Sequence, residues 1–189
     1  MKLIYTVLAA ALLALNTAPG FAAGPTLVPK DGYLCCNLRV SGTWASDANS
    51  HRSGGTVLPA GTRVIGMAYG ASQVDVEIGG KKMSIGNDYS RDMTIQAFAN
   101  RWIVQKDPRE ALNGWSPKVQ QAVRAGRVMK GMNRKQVLMS LGWPTTGSTP
   151  NIDDPVWNYQ TGFKVIFNES WAVKAIDADD YVKKLVVMP

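Results

Sequence analysis

The stretch GRVMKGMNRKQVLMSLGWP, residues 126–144, decides the fold of the C-terminal half. Asn133, with Gln136 three residues later, has the pattern of a capping box at a helix start. The apolar positions that follow have helical spacing and are Val137, Leu138 and Leu141. Gly142 is suited to the left-handed conformation that ends many helices, and Pro144 cannot continue one. Because the stretch contains no His, Cys, Asp or Glu, it indicates a fold rather than an active site.

A second helix is predicted upstream of this stretch, and several strands follow it. Ser116 before Pro117 is a typical helix start, and Gly126 is a typical helix end. After a loop rich in Thr, Ser, Gly and Pro, four segments have strand-like composition: PVWNYQ, FKVIFN, AVKAI and VKKLVVM. Two helices followed by an antiparallel meander predict an α+β module of three or four strands over residues 116–189.

The N-terminal half is predicted to consist of short strands and one helix. In QVDVEIGGKKMSIG, apolar and polar residues alternate up to Gly79-Gly80, which is a strong signal for a tight hairpin. A second strand pair is predicted around Pro59-Ala60-Gly61. Asp92 is the predicted cap of a helix whose apolar positions are Ile95, Phe98, Ala99 and Trp102. These elements predict a small β-barrel with a trailing helix over residues 24–104, and residues 105–115 are predicted to link it to the module.

Residues 1–23 have the layout of a secretory signal peptide. One Lys precedes an apolar run of 13 residues and the small pair Ala22-Ala23. This run is shorter than the ~20 residues that cross a hydrocarbon core, so a membrane-spanning helix is not favoured. A lipoprotein would need a Cys at the position of Gly24, and no lipid anchor is therefore expected.

Cleavage after Ala23 would lower the formal charge from +7 to +6, since 20 basic and 14 acidic residues would remain. This surplus suits anionic lipid headgroups or cell-wall polymers better than nucleic acid, or it serves solubility alone.

The two cysteines, Cys35 and Cys36, are adjacent. Adjacent cysteines can close only a strained eight-membered ring, so a disulfide between them is not expected to be the main stabilising element. On a strand, one side chain would face the core and the other solvent. The expectation is therefore one buried Cys and one exposed thiol, because neither a second CxxC nor a neighbouring His supports a metal site.

The C-terminal half resembles the SmpA/OmlA/BamE family of small bacterial envelope proteins. The matching positions lie between residues 122 and 176 and are Gly131, Met132, Gly142, Pro144, Trp157, Tyr159 and Phe167. The resemblance implies a two-helix, three-strand fold and a non-enzymatic accessory role at the outer-membrane β-barrel assembly machinery. The chain departs from the family in lacking a lipidation Cys and in its N-terminal half, which looks like a bacterial SH3-like barrel. The same small fold resembles the repeats of a secreted β-lactamase inhibitor protein, and a fold does not determine a function.

Residues with catalytic or metal-binding chemistry are few. His51, the sole histidine, lies in a Ser/Asn/Gly loop without the strand-to-helix turn of a Ser nucleophile, and it is interpreted as a solvated loop residue. Asp177, Asp179 and Asp180 lack the Gly and Glu of a calcium-binding loop and are interpreted as a solvated turn. No catalytic, cofactor-binding or metal-binding residue is predicted.

The six tryptophans raise the hypothesis of carbohydrate stacking. Four lie in or beside periodic apolar segments, where a core position is the default: Trp102, Trp143, Trp157 and Trp171. Trp44 and Trp115 lie in loop-like surroundings and are the better candidates for a surface platform.

A partner-binding surface is predicted on the sheet of the C-terminal module. If residues 160–162 form a three-residue hairpin loop, Tyr159 pairs with Phe163 and Trp157 with Val165. The bulk of these side chains predicts that the helices cover their face. The opposite face then carries four candidate contact residues: Lys164, Ile166, Asn158 and Val156. An apolar centre with a basic edge suits a modest protein interface, and a sheet face that only contacts water is the alternative.

The whole sequence predicts an exported, non-enzymatic binding or scaffolding protein of the Gram-negative envelope, linked to outer-membrane assembly or integrity. Its predicted location is the periplasm, either free or peripherally associated with the outer membrane, with no transmembrane segment after signal cleavage. Its expected partner is an envelope protein, with peptidoglycan or the anionic outer-membrane surface as alternatives, and not nucleic acid. The alternative function is that of a peptidoglycan-binding protein or a secreted enzyme inhibitor. No cofactor is expected.

Overall fold

The computed structural model describes residues 28–52 and 54–189, so the predicted signal peptide, residues 1–23, lies outside the described residues. The described residues form eleven strands and five helices, in chain order β1 (Gly32–Leu34), β2 (Leu38–Val40), β3 (Trp44–Ser46), β4 (Thr56–Leu58), β5 (Arg63–Tyr69), β6 (Gln73–Ile78), β7 (Lys81–Gly86), α1 (Ile95–Trp102), β8 (Ile103–Val104), α2 (Arg109–Asn113), α3 (Pro117–Arg124), α4 (Arg134–Leu141), β9 (Val156–Tyr159), β10 (Phe163–Phe167), β11 (Val173–Asp177) and α5 (Asp180–Val186). Both halves combine helices with strands, which confirms the α+β class. In this part of the chain no helix has the length and apolar character needed to cross a membrane.

Six strands of the N-terminal half form one curled, mixed sheet in the order β3-β7-β6-β5-β1-β8. Strands β6 and β7 form the predicted hairpin, in which Ile78 pairs with Lys81. The two turn residues, Gly79 and Gly80, have φ of 60° and 75°. Positive φ at both positions gives a turn whose twist matches that of the strands, so the hairpin prediction is confirmed.

The second predicted strand pair is wrong in its pairing. Strands β4 and β5 flank residues 59–61, but β4 pairs with β2, and β5 pairs with β1 and β6. The backbone donors between them are used elsewhere, because Ala60 N–H donates to Asn37 Oδ1 (3.0 Å) and Gly61 N–H donates to the Leu34 carbonyl (2.9 Å). These bonds direct the chain from one sheet to the other instead of closing a hairpin.

Helix α1 has the predicted apolar face but a different cap. Its buried residues are Phe98, Ala99 and Trp102. The cap is Thr94, whose Oγ1 accepts a hydrogen bond from Ala97 N–H at 3.2 Å. Asp92, the predicted cap, instead accepts a hydrogen bond from Thr146 Oγ1. The prediction was two residues too early because a Thr next to the first helical residue supplies the same acceptor.

Residues 105–115, predicted as a linker, contain helix α2. Leu112 of this helix is buried in the core of the C-terminal half, and Ala111 and Trp115 pack against the same core. The connection between the halves is therefore anchored to the C-terminal core at Ala111, Leu112 and Trp115.

The caps of α3 and α4 are those that the sequence predicts. Ser116 Oγ accepts from Val119 N–H, and Asn133 and Gln136 form a reciprocal capping box with bonds of 3.0 and 2.8 Å. Gly126, just after α3, and Gly142, just after α4, have φ of 64° and 81°. The positive φ of Gly142 is confirmed, but its ψ of −177° is extended rather than left-handed helical.

The C-terminal sheet is antiparallel in the order β11-β10-β9 and has the predicted register. Tyr159 pairs with Phe163, Trp157 pairs with Val165, and Gly162 has a φ of 87°. The four paired residues are buried in one cluster with apolar residues of α3 and α4. The predicted covered face is therefore confirmed.

The fourth predicted strand is wrong, because most of VKKLVVM lies in helix α5. Asp179 caps the helix by accepting a hydrogen bond from Val182 N–H at 2.7 Å, and Asp180 follows in the first turn. Val182 and Val186 are one helical turn apart and both fully buried. Burial of this i, i+4 pair and the cap outweigh the strand propensity of the valines. Three strands remain of the three or four predicted.

Two hydrophobic cores, one in each half, meet at a seam that contains buried asparagines. Asn37 and Asn49 are only 4% and 2% exposed. Asn37 Nδ2 donates to the carbonyls of Val123 (2.6 Å) and Ser140 (3.1 Å), and Asn49 Nδ2 donates to that of Leu141 (2.7 Å). These carbonyls lie in the last turns of α3 and α4, where the regular i+4 partners of a helix are missing. The Val123 carbonyl also accepts a hydrogen bond from Gly126 N–H at 3.0 Å. The N-terminal half therefore supplies hydrogen-bond donors to the C-terminal ends of α3 and α4.

Cys35 and Cys36 form a disulfide with each other, so the expectation of one buried Cys and one exposed thiol is wrong. That expectation assumed a strand, but β1 ends at Leu34 and β2 begins at Leu38. The chain bends between them, and the alternation of side chains that holds for a strand does not apply.

We expect Gly142→Ala to lower the free energy of unfolding by about 2–4 kcal/mol. The positive φ is unfavourable for an L-residue, and the new Cβ would lie 2.7 Å from Asn49 Nδ2 and 3.1 Å from the Trp102 ring. Gly131→Ala is the matched control, because its φ of +86° is similar but its Cβ would meet nothing within 4 Å. Denaturant unfolding measures both losses. Equal losses would show that the seam leaves room at Gly142.

We expect Asn37→Ala to lower the free energy of unfolding by about 2 kcal/mol or more, because each buried polar group that loses its partner costs about 1–3 kcal/mol. The Ser140 carbonyl and the Ala60 N–H lose this side chain as their partner, whereas the Val123 carbonyl keeps the bond from Gly126 N–H. Asn100→Ala, on the exposed side of α1, is the control and should be nearly neutral. A loss below about 0.5 kcal/mol for Asn37→Ala in thermal and urea unfolding would contradict this role of the seam.

Candidate partner-binding surface

The four predicted contact residues lie together on the outer face of the C-terminal sheet. Asn158 pairs with Lys164, and Val156 pairs with Ile166. Lys164 is exposed and the other three are half-buried. Because side chains alternate along a strand, these residues face away from the buried Trp157. Strands β9 and β10 thus bring the predicted set together, as a contiguous patch.

Strand β11 extends this patch with two residues that the sequence did not indicate. Ala175 lies opposite Ile166, and Asp177 lies opposite Lys164. A register shift between Ile166 and Phe167 sets this pairing, and such a bulge has no reliable sequence signal. The patch, named the outer sheet face below, therefore has an apolar centre and a polar end with charges of both signs.

A shallow depression of about 860 Å³ adjoins the outer sheet face at Ile166. Its lining combines apolar, aromatic and charged side chains, among them Pro155, Ile166, Asn168, Glu169, Trp171 and Lys174. A concave, mixed surface beside an apolar patch is typical of a site where a partner inserts a side chain.

Trp171 is exposed at this depression, so its predicted core position is wrong. It is 37% exposed and has a φ of 58°, a conformation that bulky L-residues rarely adopt. Asn168 holds the loop in this shape, because its Oδ1 accepts hydrogen bonds from the N–H groups of Ser170 (3.1 Å) and Ala172 (2.9 Å). An Asn between two strands is a known turn former, and it is the signal that could have indicated this loop.

An arginine fixes the Trp171 ring from the side of α4. The Arg134 guanidinium lies 4.4 Å from the centroid of Trp171 and 5.2 Å from that of the buried Trp157. The same side chain forms an ion pair with Asp153 at 3.0 Å. Cation–π contacts of this kind hold an aromatic ring in one orientation, so the Trp171 ring is presented in a defined position.

The outer edge of the sheet at β9 is closed. The Thr149 hydroxyl accepts a hydrogen bond from Asn158 N–H (2.8 Å) and donates one to the Asn158 carbonyl (2.9 Å). A free edge would present these groups to an added strand. A partner therefore meets side chains at this surface rather than the backbone edge of Asn158.

The two tryptophans predicted as surface platforms differ in the structure. Trp44 is 39% exposed, and its ring lies so close to Gly86 that a Cβ there would be 2.2 Å from it. Trp115 is half-buried and packs against the C-terminal core. Only Trp44 of the two offers an aromatic surface supported from behind by the sheet.

His51 is buried rather than solvated, so that interpretation is wrong. It is 5% exposed, its ring meets Phe163 edge-on at 5.7 Å, and its Nδ1 forms no hydrogen bond with any described residue. Burial, with a smaller contribution from the charge of Arg39, lowers the pKa of His51 to about 3. The neighbouring Arg52 forms an ion pair with Asp179 at 2.5 Å, which holds the loop against the C-terminal half. His51 is thus a neutral packing residue at neutral pH.

Residues 28–52 and 54–189 contain no group of three or more His, Cys, Asp or Glu side chains placed to hold a metal ion. Comparison with protein-family models, with curated proteins and with solved structures finds no match. The functional argument therefore depends on the geometry of this chain.

We expect acidification to destabilise the protein through His51. Its pKa is about 3 in the folded state and near 6.5 in the unfolded state, so between these values only the unfolded chain binds the proton. Above about pH 6.5, the free energy of unfolding has its full value with respect to His51. As the pH falls from there toward 3, the free energy of unfolding decreases by up to about 1.4 kcal/mol per pH unit.

The control for this pH effect is His51→Phe, which keeps an aromatic ring against Phe163 but cannot titrate. Between pH 7 and pH 5 this variant should lose about 2 kcal/mol less stability than the unsubstituted protein in urea unfolding. If the stability of both proteins falls equally between pH 7 and pH 5, His51 is not the group that causes the loss.

Proposed function

We propose that this protein is an exported, non-enzymatic binding protein of the Gram-negative envelope. Its binding surface is the outer sheet face together with the adjoining depression at Trp171. The observation that carries this proposal is the exposed Trp171, held at positive φ by Asn168 and at a fixed orientation by Arg134. Backbone strain in a non-glycine residue costs of order 1–3 kcal/mol and concentrates at functional sites.

The composition of this surface supports a protein partner. Trp and Arg are the residues most enriched among those that dominate binding energy, and Trp171 and Arg134 stack at the rim of the depression. The apolar centre at Ile166 would be buried on binding, and Lys164 and Lys174 would orient a partner with acidic groups. At the β9 edge, the bonds from Thr149 to Asn158 favour contact through side chains over strand addition.

The envelope setting is proposed from the layout of residues 1–23 and from the resemblance to the SmpA/OmlA/BamE family. Four of the matching positions are buried in the C-terminal core: Met132, Trp157, Tyr159 and Phe167. Tyr159 Oη also donates to the carbonyl of a fifth, Gly142, at 3.2 Å. These positions are thus suited to maintain the same fold in proteins whose outer sheet faces differ according to their partners. We also propose that the curled N-terminal sheet is of the SH3-like class, for which its short strands and tight hairpin are the support.

A second candidate function is peptidoglycan binding by the N-terminal half. The observation that favours it is Trp44, whose exposed ring is supported by Gly86, because aromatic rings of this kind stack on sugars. Loss of sedimentation with purified peptidoglycan in Trp44→Ala, with no loss in Ile166→Asp, would favour this function over the first.

The test of the main proposal introduces a photo-crosslinking residue at Lys164 and compares adducts in intact cells. We expect one discrete adduct, and we expect Ile166→Asp to reduce it at least about tenfold while the melting temperature stays within about 2 °C. Phe167→Asp, at a position 4% exposed, should unfold the protein by burying an unpaired charge.

The matched control is Ile65→Asp, the same change at an exposed Ile of the N-terminal half, which should leave the adduct unchanged. The proposal fails if Ile65→Asp and Ile166→Asp reduce the adduct equally, or if neither reduces it. If Ile166→Asp unfolds the protein, the residue belongs to the core and not to a surface.

A further inference from the structure

The Cys35–Cys36 disulfide lines a groove that lies between the two halves and is separate from the outer sheet face. The groove has a volume of about 340 Å³, within the range of small-molecule sites. One wall is formed by Lys135, Leu138 and Met139, which share a face of α4 at i, i+3 and i+4. The other wall is formed by residues 104–111, and Trp143 completes the lining.

The lining is mainly apolar and includes three sulfur-containing residues. They are the disulfide-bonded Cys35 and Cys36, and Met139, in the same lining as Trp143. Cys35 is half-buried, and Cys36 and Met139 are buried. Polarisable sulfur makes favourable contacts with aromatic rings, and indole stacks with them. An aromatic ligand therefore matches this lining better than an aliphatic or a strongly polar one.

The groove is held in shape by hydrogen bonds on both sides of the disulfide. Cys35 N–H donates to the Trp102 carbonyl at 2.9 Å, and Asn37 N–H donates to the Met139 carbonyl at 3.0 Å. Trp143 Nε1 donates to the Arg101 carbonyl at 3.0 Å, and the Arg101 guanidinium covers the ring at 4.9 Å. A ligand thus meets a preformed site, so little binding free energy is lost in ordering the site.

The charges at the rim favour an anion. Lys106 and Lys135 are exposed, one on each wall. Asp107 is neutralised by an ion pair with Arg109, which leaves Glu110 as the acidic residue of the lining without a described ion pair. Two cations against one uncompensated anion give the rim a positive balance.

We propose that this groove binds a small, planar aromatic anion, with its ring between the disulfide and Trp143 and its acidic group toward Lys106 or Lys135. The inference is independent of the partner-binding surface proposed above, because none of these residues lines it. A bound ring would also cover the disulfide. Such cover would slow attack by a reductant, and by linkage a ligand that prefers the oxidised form disfavours reduction at equilibrium.

The test uses 8-anilinonaphthalene-1-sulfonate, an aromatic anion with a planar naphthalene ring whose fluorescence rises in apolar sites. We expect saturable binding of one equivalent to the full-length protein. Lys135→Glu should weaken it at least about fivefold, and the matched Lys82→Glu, on the exposed side of β7, should not. Circular dichroism confirms that both variants are folded.

A second measurement follows the disulfide itself. Dithiothreitol transfers two electrons and two protons to it, giving the thiols of Cys35 and Cys36 and the cyclic disulfide of the reagent. Saturating probe should slow this reaction at least about threefold, and the reduced protein should bind the probe more weakly.

The proposal is overturned if the probe shows no saturable binding, if the two Lys variants behave alike, or if reduction leaves binding unchanged. It is also overturned if sedimentation shows a dimer whose probe binding appears only on dilution, because a second copy of the chain would then occupy the groove.

Discussion

The side-chain amides of Asn37 and Asn49 hold this protein together by bonding to the carbonyls that end α3 and α4. Those carbonyls are buried where the halves meet, and a buried carbonyl without a partner costs about 1–3 kcal/mol. The C-terminal helices therefore need the N-terminal half at their ends. Asn37 Oδ1 also accepts from Ala60 N–H, so the same residue directs the path of the chain between its two N-terminal sheets.

Both candidate sites involve helix α4. Docking of residues 35–37 against α4 places the disulfide next to Leu138 and Met139 and so creates the groove between the halves. The same helix carries Arg134 at its first turn, where it orients Trp171 on the opposite part of the module. Helix α4 thus supplies one wall of the groove and the support of Trp171 beside the outer sheet face. The groove requires both halves, whereas the outer sheet face is built from residues of the C-terminal half alone.

Local chemistry was predictable from the sequence, because its determinants are a few residues apart. The capping box of Asn133 and Gln136, the Gly79-Gly80 turn and the β9–β10 register depend on neighbours in the chain, and each is present as predicted. The register placed Val156, Asn158, Lys164 and Ile166 on one face, since strand alternation allows no other arrangement. The cap of α1 could not be predicted in this way, because Asp92 and Thr94 lie two positions apart and both side chains can accept the capping hydrogen bond.

The sequence by itself determined the α+β class, the starts of α3 and α4, the β6–β7 hairpin and which face of the C-terminal sheet is covered. Only the tertiary structure decided that His51 is buried against Phe163, that Trp171 is exposed, that the last segment is helical and that the adjacent cysteines line a groove. The physical reason is the range of the interactions. Caps and turns are settled within about one turn of chain, whereas burial depends on residues about a hundred positions away.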